Sequence, residues 1–197
     1  MNELVIATKN EGKVREFREM FSKYGIEVKS LLEFDEPIED IEETGTTFTE
    51  NATIKAEAIS KQYNIPVLAD DSGLEVDALE GAPGVYSARY AGLEKNDQKN
   101  LYKVLENMKG VPTDQRTARF VCAVAVARPE HDTFVKVGTC EGNIAEEPQG
   151  EHGFGYDPVF IPKGSKRTLA EYTSEEKNAI SHRHNAIIQL EEWLKNA

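Results

Sequence analysis

Apolar residues recur along this chain in two patterns, short continuous runs and longer stretches spaced by three and four, as expected of strands interleaved with helices. Leu4-Val5-Ile6-Ala7 is an unbroken apolar run of the kind a strand buried on both faces requires, and polar Thr8-Lys9-Asn10 ends it. Over residues 11–24 the positions Val14, Phe17, Met20, Phe21 and Tyr24 predict one apolar face of a helix, and residues 26–31 predict a second strand. Thr47-Phe48-Thr49-Glu50 predicts a capping box, in which the threonine oxygen and the glutamate side chain each satisfy an orphan amide, opening a helix that runs to Tyr63.

Val67-Leu68-Ala69 reads as another short buried strand and Leu74-Glu75-Val76-Asp77 alternates as if half-buried, with a turn at Asp70-Asp71-Ser72-Gly73 between them. Gly81-Ala82-Pro83-Gly84 is a turn by composition. Asn96 or Asp97 caps a helix carrying Leu101, Val104, Leu105 and Met108, which Gly110 stops. The long strand patterns of residues 118–127 and 133–145 predict an antiparallel hairpin. Residues 147–156 read as a loop, Val159-Phe160-Ile161 as one more strand, and Ser181 as the cap of a final helix bearing Ile187, Leu190 and Leu194. The expected fold is α/β, an elongated mixed β-sheet flanked by helices. A single domain over residues 1–197 is expected, bent into two lobes around a central cleft.

Charge narrows the partners. A net charge of −12, from 35 acidic against 23 basic residues, repels extended nucleic acid and anionic membrane but leaves room for a small anion beside clustered lysines. The two cysteines, Cys122 and Cys140, have no C-x-x-C spacing and form no disulfide framework, which suits a reducing compartment. Met1-Asn2-Glu3 carries no basic leader and the apolar runs fall well short of the about 20 residues of a membrane span, so a cytoplasmic location is expected.

Three stretches carry candidate chemistry. A strand feeding Thr8-Lys9-Asn10-Glu11-Gly12-Lys13 into a helix aims free amides and a partial positive charge at whatever lies above it, and Lys9 and Lys13 add point charges. The Walker pattern is absent, so the stretch is either a different phosphate grip or a charged helix start facing water. Asp70 and Asp71 end an apolar strand, where open α/β sheets place ligands. Successive strand side chains point to opposite faces, so one aspartate serves a metal while the other supports the turn. The acidic stretch Glu39-Asp40-Ile41-Glu42-Glu43 either supplies a second carboxylate for magnesium or is a solvated loop. Gly153-Phe154-Gly155-Tyr156-Asp157 offers aromatic faces on a pliable backbone, as a base platform or as alternate core positions. Lys177-Asn178 and Ser181-His182-Arg183 add donors suited to the oxygen of a 6-keto purine. His182 and His184 are too few for zinc and read as surface or capping residues. The adjacency of Asp70 and Asp71 disfavours an aspartyl phosphatase, and no G-x-S-x-G supports a serine hydrolase.

As a set, these motifs resemble the inosine triphosphate pyrophosphatase family nearly end to end. Its carriers are residues 8–13, Glu42 to Phe48 with Glu50-Asn51-Ala52 and Lys55-Ala56, Ala69 to Leu74, Gly81 to Arg89, Phe154 to Phe160, and Glu176-Lys177-Asn178 with Ser181-His182-Arg183. The resemblance implies hydrolysis of non-canonical purine nucleoside triphosphates between the α and β phosphorus atoms, with Mg2+ as cofactor and a homodimer as the assembly. By motif position it implies that Thr8, Lys9, Asn10, Glu11, Gly12, Lys13, Lys55 and Ser72 bind the phosphate end. Glu42 and Asp71 would hold the metal, with Asp71 also the general base. Phe154, Gly155, Tyr156, Asp157, Lys177, His182 and Arg183 would bind the purine. The related Maf-type pyrophosphatases are the nearest enzymatic rival; a nucleotide-binding regulator and an acidic interaction protein are the alternatives from other classes.

Overall fold

The computed structural model describes residues 3–196 of the 197, so Met1 and Asn2 of the leader reading lie outside the described residues. Six strands form one mixed sheet in the order β2-β1-β3-β4-β5-β6. They are β1 (Glu3–Ile6), β2 (Glu27–Ser30), β3 (Val67–Val76), β4 (Thr117–Arg128), β5 (His131–Ile144) and β6 (Phe160–Pro162). β1 runs parallel to β2, with Leu4 opposite Val28, and parallel to β3, with Ile6 opposite Leu68. β5 and β6 are antiparallel, with Asn143 opposite Ile161. The neighbours β4 and β5 are joined by Pro129 and Glu130 alone, far too short for a parallel crossover, so they form the expected hairpin. Among the described residues no helix is long and apolar enough to cross a membrane.

The chain divides into two compact units. The first comprises the chain up to Asp71, Cys122–Gly138 and the chain from Arg183 onward. Its core packs Leu4, Ile6 and Leu68 against Phe17, Met20 and Phe21 of helix α1 (Glu11–Ser22), with Val124 and Val126 of β4 and the C-terminal Ala186, Ile187 and Leu190. The helix ends two residues before the apolar pattern does. The amides of Tyr24 and Gly25 turn back to the carbonyls of Phe21 and Ser22, and Gly25 adopts φ +66°, which breaks the helical ladder. Helix α2 (Phe48–Tyr63) starts as expected with Thr47 accepting the Glu50 amide, but the reciprocal bond shifts by one residue: the Glu50 carboxylate accepts from the Thr46 amide at 2.7 Å.

The second unit comprises Ser72–Val121 and Thr139–His182, with a core of Leu74, Val76, Leu101, Val104, Phe120, Ile144, Tyr156 and Phe160. Helix α3 (Asp97–Asn107) is capped by Asn96, whose side chain accepts the Lys99 amide at 2.9 Å. A short helix α4 (Ser174–Asn178), absent from the periodicity reading, is capped by Thr173 with Glu176. The expected final helix is broken into α5 (His182–Ile187) and α6 (Glu191–Asn196) by one 3-10 turn at Ile188–Leu190.

One expectation fails outright. Asp70-Asp71-Ser72-Gly73 is no turn; it lies in the middle of the ten-residue β3. Two adjacent aspartates read as a route back to water because a buried carboxylate is costly without counter-charges. Residues remote in sequence supply those counter-charges, and the strand continues.

Candidate functional site

In the first unit the strand-to-helix junction after β1 is built as the sequence suggested. Asn10 caps α1, its side chain accepting the Lys13 amide at 3.1 Å, and the Thr8 hydroxyl oxygen accepts the Asn10 amide at 3.1 Å. The positive end of the α1 macrodipole therefore meets a loop of residues 8–10, with Glu11 in the first helical turn and Gly12 and Lys13 partly exposed. Lys9 is occupied otherwise than as a loose phosphate ligand. Its ammonium bonds the Ile38 carbonyl and the Asp40 carboxylate, tying the loop to the acidic segment before α2.

Asp70 and Asp71 leave β3 on opposite faces, as strand geometry requires. Asp70, fully buried, has Lys13 Nζ at 3.0 Å and an Arg183 guanidinium nitrogen at 3.3 Å from its Oδ2. Burial pushes its pKa up, but Lys13, Arg183 and Lys55 outweigh burial and hold it well below the usual carboxylate range. Arg183, itself buried, also pairs with Glu16 and lies over the Phe17 ring at 5.6 Å. So the role of Asp70 is electrostatic: it joins α1 to the start of α5, and supports no turn.

Asp71 differs. It is 6% exposed, and its Oδ2 is buried with no hydrogen-bond partner among the described residues. Burial, followed by the negative charge of Glu43, raises its pKa to about 6 against the opposing pull of Lys13 and Lys55. Lys55 Nζ lies 2.8 Å from Glu43. Its pKa is raised despite burial, because Asp70, Glu43 and Asp71 all favour the ammonium. The carboxylates Glu16, Glu43, Asp70 and Asp71 thus outnumber the cations Lys13, Lys55 and Arg183 by one, and Asp71 carries the excess. Glu42, on the same segment, is exposed, and the structure pairs its neighbour Glu43 with the lysine. Glu43 was legible only as part of an acidic run; nothing in its spacing marks it out from Glu42.

A hard divalent cation fits this donor set. Magnesium takes oxygen ligands and needs only one or two carboxylates alongside waters and substrate phosphates. Among the described residues no three His, Cys, Asp or Glu side chains converge on a metal position, so a site here has carboxylate donors too few for a cage built from protein alone.

In the second unit the glycine-aromatic segment forms a tight turn. Gly153 and Gly155 adopt φ +71° and +60°, which side-chain-bearing residues rarely do. Tyr156 is buried and donates its hydroxyl to the Ser87 carbonyl at 2.6 Å, so it shapes the turn from within. Asp157 accepts the Phe154 amide at 3.1 Å and the Lys177 ammonium at 2.6 Å. Lys177 Nζ stands 4.6 Å from the centre of the half-buried Phe154 ring. His182 is buried rather than at the surface, stacked on Phe120 with ring centres 4.8 Å apart. Ser72 is half-buried on β3, one residue after Asp71. Neither Ser87 nor Asp97 was legible as a support, yet the Gly155 amide donates to Asp97 at 3.0 Å across 58 residues.

The model of the Ham1 family matches residues 4–193. A protein of Halalkalibacterium halodurans named dITP/XTP pyrophosphatase is 58% identical over 194 residues, covering 98% of this chain and 100% of its own. Its Bacillus subtilis namesake is 56% identical over 195 residues, covering 99% and 98%. The solved structure of the Staphylococcus aureus Ham1 protein superposes with a TM-score of 0.86 at 45% identity, covering 99% of each chain.

Proposed function

Since the chain belongs to the Ham1 family, as its motifs anticipated, we propose that it hydrolyses non-canonical purine nucleoside triphosphates (ITP, dITP, XTP) to the monophosphate and pyrophosphate. Support comes from the dITP/XTP pyrophosphatase names of full-length relatives. The observation that carries the chemistry is Asp71, a buried carboxylate with one oxygen left unbonded beside the Lys13 and Lys55 cations.

Lys13, Lys55 and the amide-rich start of α1 bind the polyphosphate and offset its charge. Asp71 accepts a proton from the attacking water. The water oxygen then bonds to the α-phosphorus, the α–β bridging bond breaks, and pyrophosphate departs with the electron pair; no covalent enzyme intermediate is needed. Glu42 and Asp71, with Glu43 adjacent, are the residues that would hold Mg2+, which when bound supplies further neutralisation of the triphosphate. Phe154 stacks on the purine, worth about 1–3 kcal/mol, while Lys177 and His182 offer donors to its keto oxygen. Arg183, engaged by Glu16 and Asp70, supports the site through Asp70. Two buried free thiols and the acidic charge suit a cytoplasmic enzyme of the nucleotide pool that does not bind nucleic acid polymers; the assembly is a homodimer, to be measured by light scattering.

The test is a substrate panel of inosine, deoxyinosine, xanthosine, adenosine, guanosine and pyrimidine triphosphates, with and without magnesium, assayed for both pyrophosphate and orthophosphate. Pyrophosphate release favouring oxopurines and dependent on magnesium is expected. Orthophosphate as the product, or equal rates on adenosine triphosphate, would overturn the reading.

A further inference from the structure

The glycine-aromatic turn is held at three corners by groups far away in sequence. Two of the holds are buried: the Tyr156 hydroxyl on the Ser87 carbonyl and the Asp157–Lys177 pair. The third is exposed. Asp97 stands in the first turn of α3 and accepts the Gly155 amide at 3.0 Å. Its carboxylate is spared for this, because the neighbouring Asn96 already caps the helix through the Lys99 amide. An acidic group suits a first helical turn, and a carboxylate accepting a backbone amide makes a charge-assisted bond. A Cβ on Gly155 would meet nothing within 4 Å, so this glycine serves the backbone conformation (φ +60°) that presents its amide, not a steric need.

We propose that Asp97 is a positioning residue for base recognition: by holding the Gly155 amide it fixes the adjoining Phe154 ring in the attitude that stacks on an oxopurine. The inference rests on the reading of Phe154 as the base platform. Asp97 touches no reacting atom, so its loss acts on substrate affinity and base selectivity and leaves the chemical step alone.

Asp97→Ala, Asp97→Asn and the control Asn96→Ala, which uncaps the same helix, are compared in the full-length protein. Steady-state kinetics with inosine and adenosine triphosphates are read together with hydrogen exchange of the peptide spanning Phe154–Asp157. Asp97→Ala is expected to raise KM for inosine triphosphate about tenfold, the scale of one charge-assisted bond, with kcat within about twofold and faster exchange in that peptide. Asp97→Asn keeps an acceptor oxygen and restores most of the loss. Asn96→Ala lowers thermal stability but leaves KM and the peptide's exchange unchanged. Unaltered KM and exchange in Asp97→Ala, or the same KM change in Asn96→Ala, would overturn the proposal while the hydrolase reading stands. A wild-type protein inactive on every oxopurine triphosphate would sink that reading, and the proposal with it.

Discussion

Lys13 Nζ and the buried Asp70 carboxylate lie 3.0 Å apart, so the lysine in the first turn of α1 is anchored to β3. Asp70 also keeps Arg183 at 3.3 Å, and Arg183 keeps Glu16. A side chain that would otherwise sample many rotamers presents its cation in a fixed place, and on the proposed reading a triphosphate need not order it on binding.

On the proposed reading, Lys13→Ala removes a phosphate ligand, and Asp70 keeps Arg183. We expect a KM for the triphosphate raised by about ten- to a hundredfold, on the scale of one charge-assisted contact of about 1.5–3 kcal/mol, with unchanged far-ultraviolet circular dichroism. Loss of the folded signal would make Lys13 structural instead.

Arg183→Ala is the opposite case. It removes the buried cation that Glu16 and Asp70 share, leaving Asp70 with Lys13, and breaking a buried pair costs about 3–5 kcal/mol. The urea midpoint should fall steeply with the slope of the transition preserved. A midpoint within error of wild type would show that Glu16 and Asp70 have other neutralising partners.

Asp71→Asn keeps the shape of the side chain but cannot accept a proton. Turnover should drop by about a hundredfold or more, in the range of general-base catalysis, while inosine triphosphate still protects the protein in a thermal shift assay. Near-normal turnover would remove Asp71 from the role of base.

Burial pushes the Cys122 thiol up to about 12 and the Cys140 thiol up to about 11. Both should be silent to a disulfide reagent at neutral pH and react only after denaturation. In the unfolded chain a thiol ionises near 8.5, whereas the native one keeps its proton. Unfolding therefore releases protons above that pH, and stability falls as pH rises from about 8.5 toward 12. Cys122→Ala should show a shallower alkaline loss in urea titrations at pH 8 and pH 10; an identical loss would locate the titrating group elsewhere.

Local chemistry was legible from residue order alone. Thr47 and Asn96 cap the helices they precede, because a cap reaches only two or three residues. The apolar spacing of Val14, Phe17, Met20 and Phe21 was enough to place the buried face of α1. The motifs likewise sufficed for the family, since each is a short contiguous stretch.

What tertiary structure alone decided is the pairing of charges. Asp70 and Asp71 look alike in sequence, yet one is paired with residues 13 and 183 and has a lowered pKa, and the other has a raised one. The same holds for Glu43 rather than Glu42 beside Lys55, and for Asp97 beneath Gly155. Coulomb energy and hydrogen bonding depend on distance through space, and no spacing along the chain encodes which remote cation arrives at a given carboxylate. With those cations in place β3 runs on through its two aspartates, where residue order alone called for a turn.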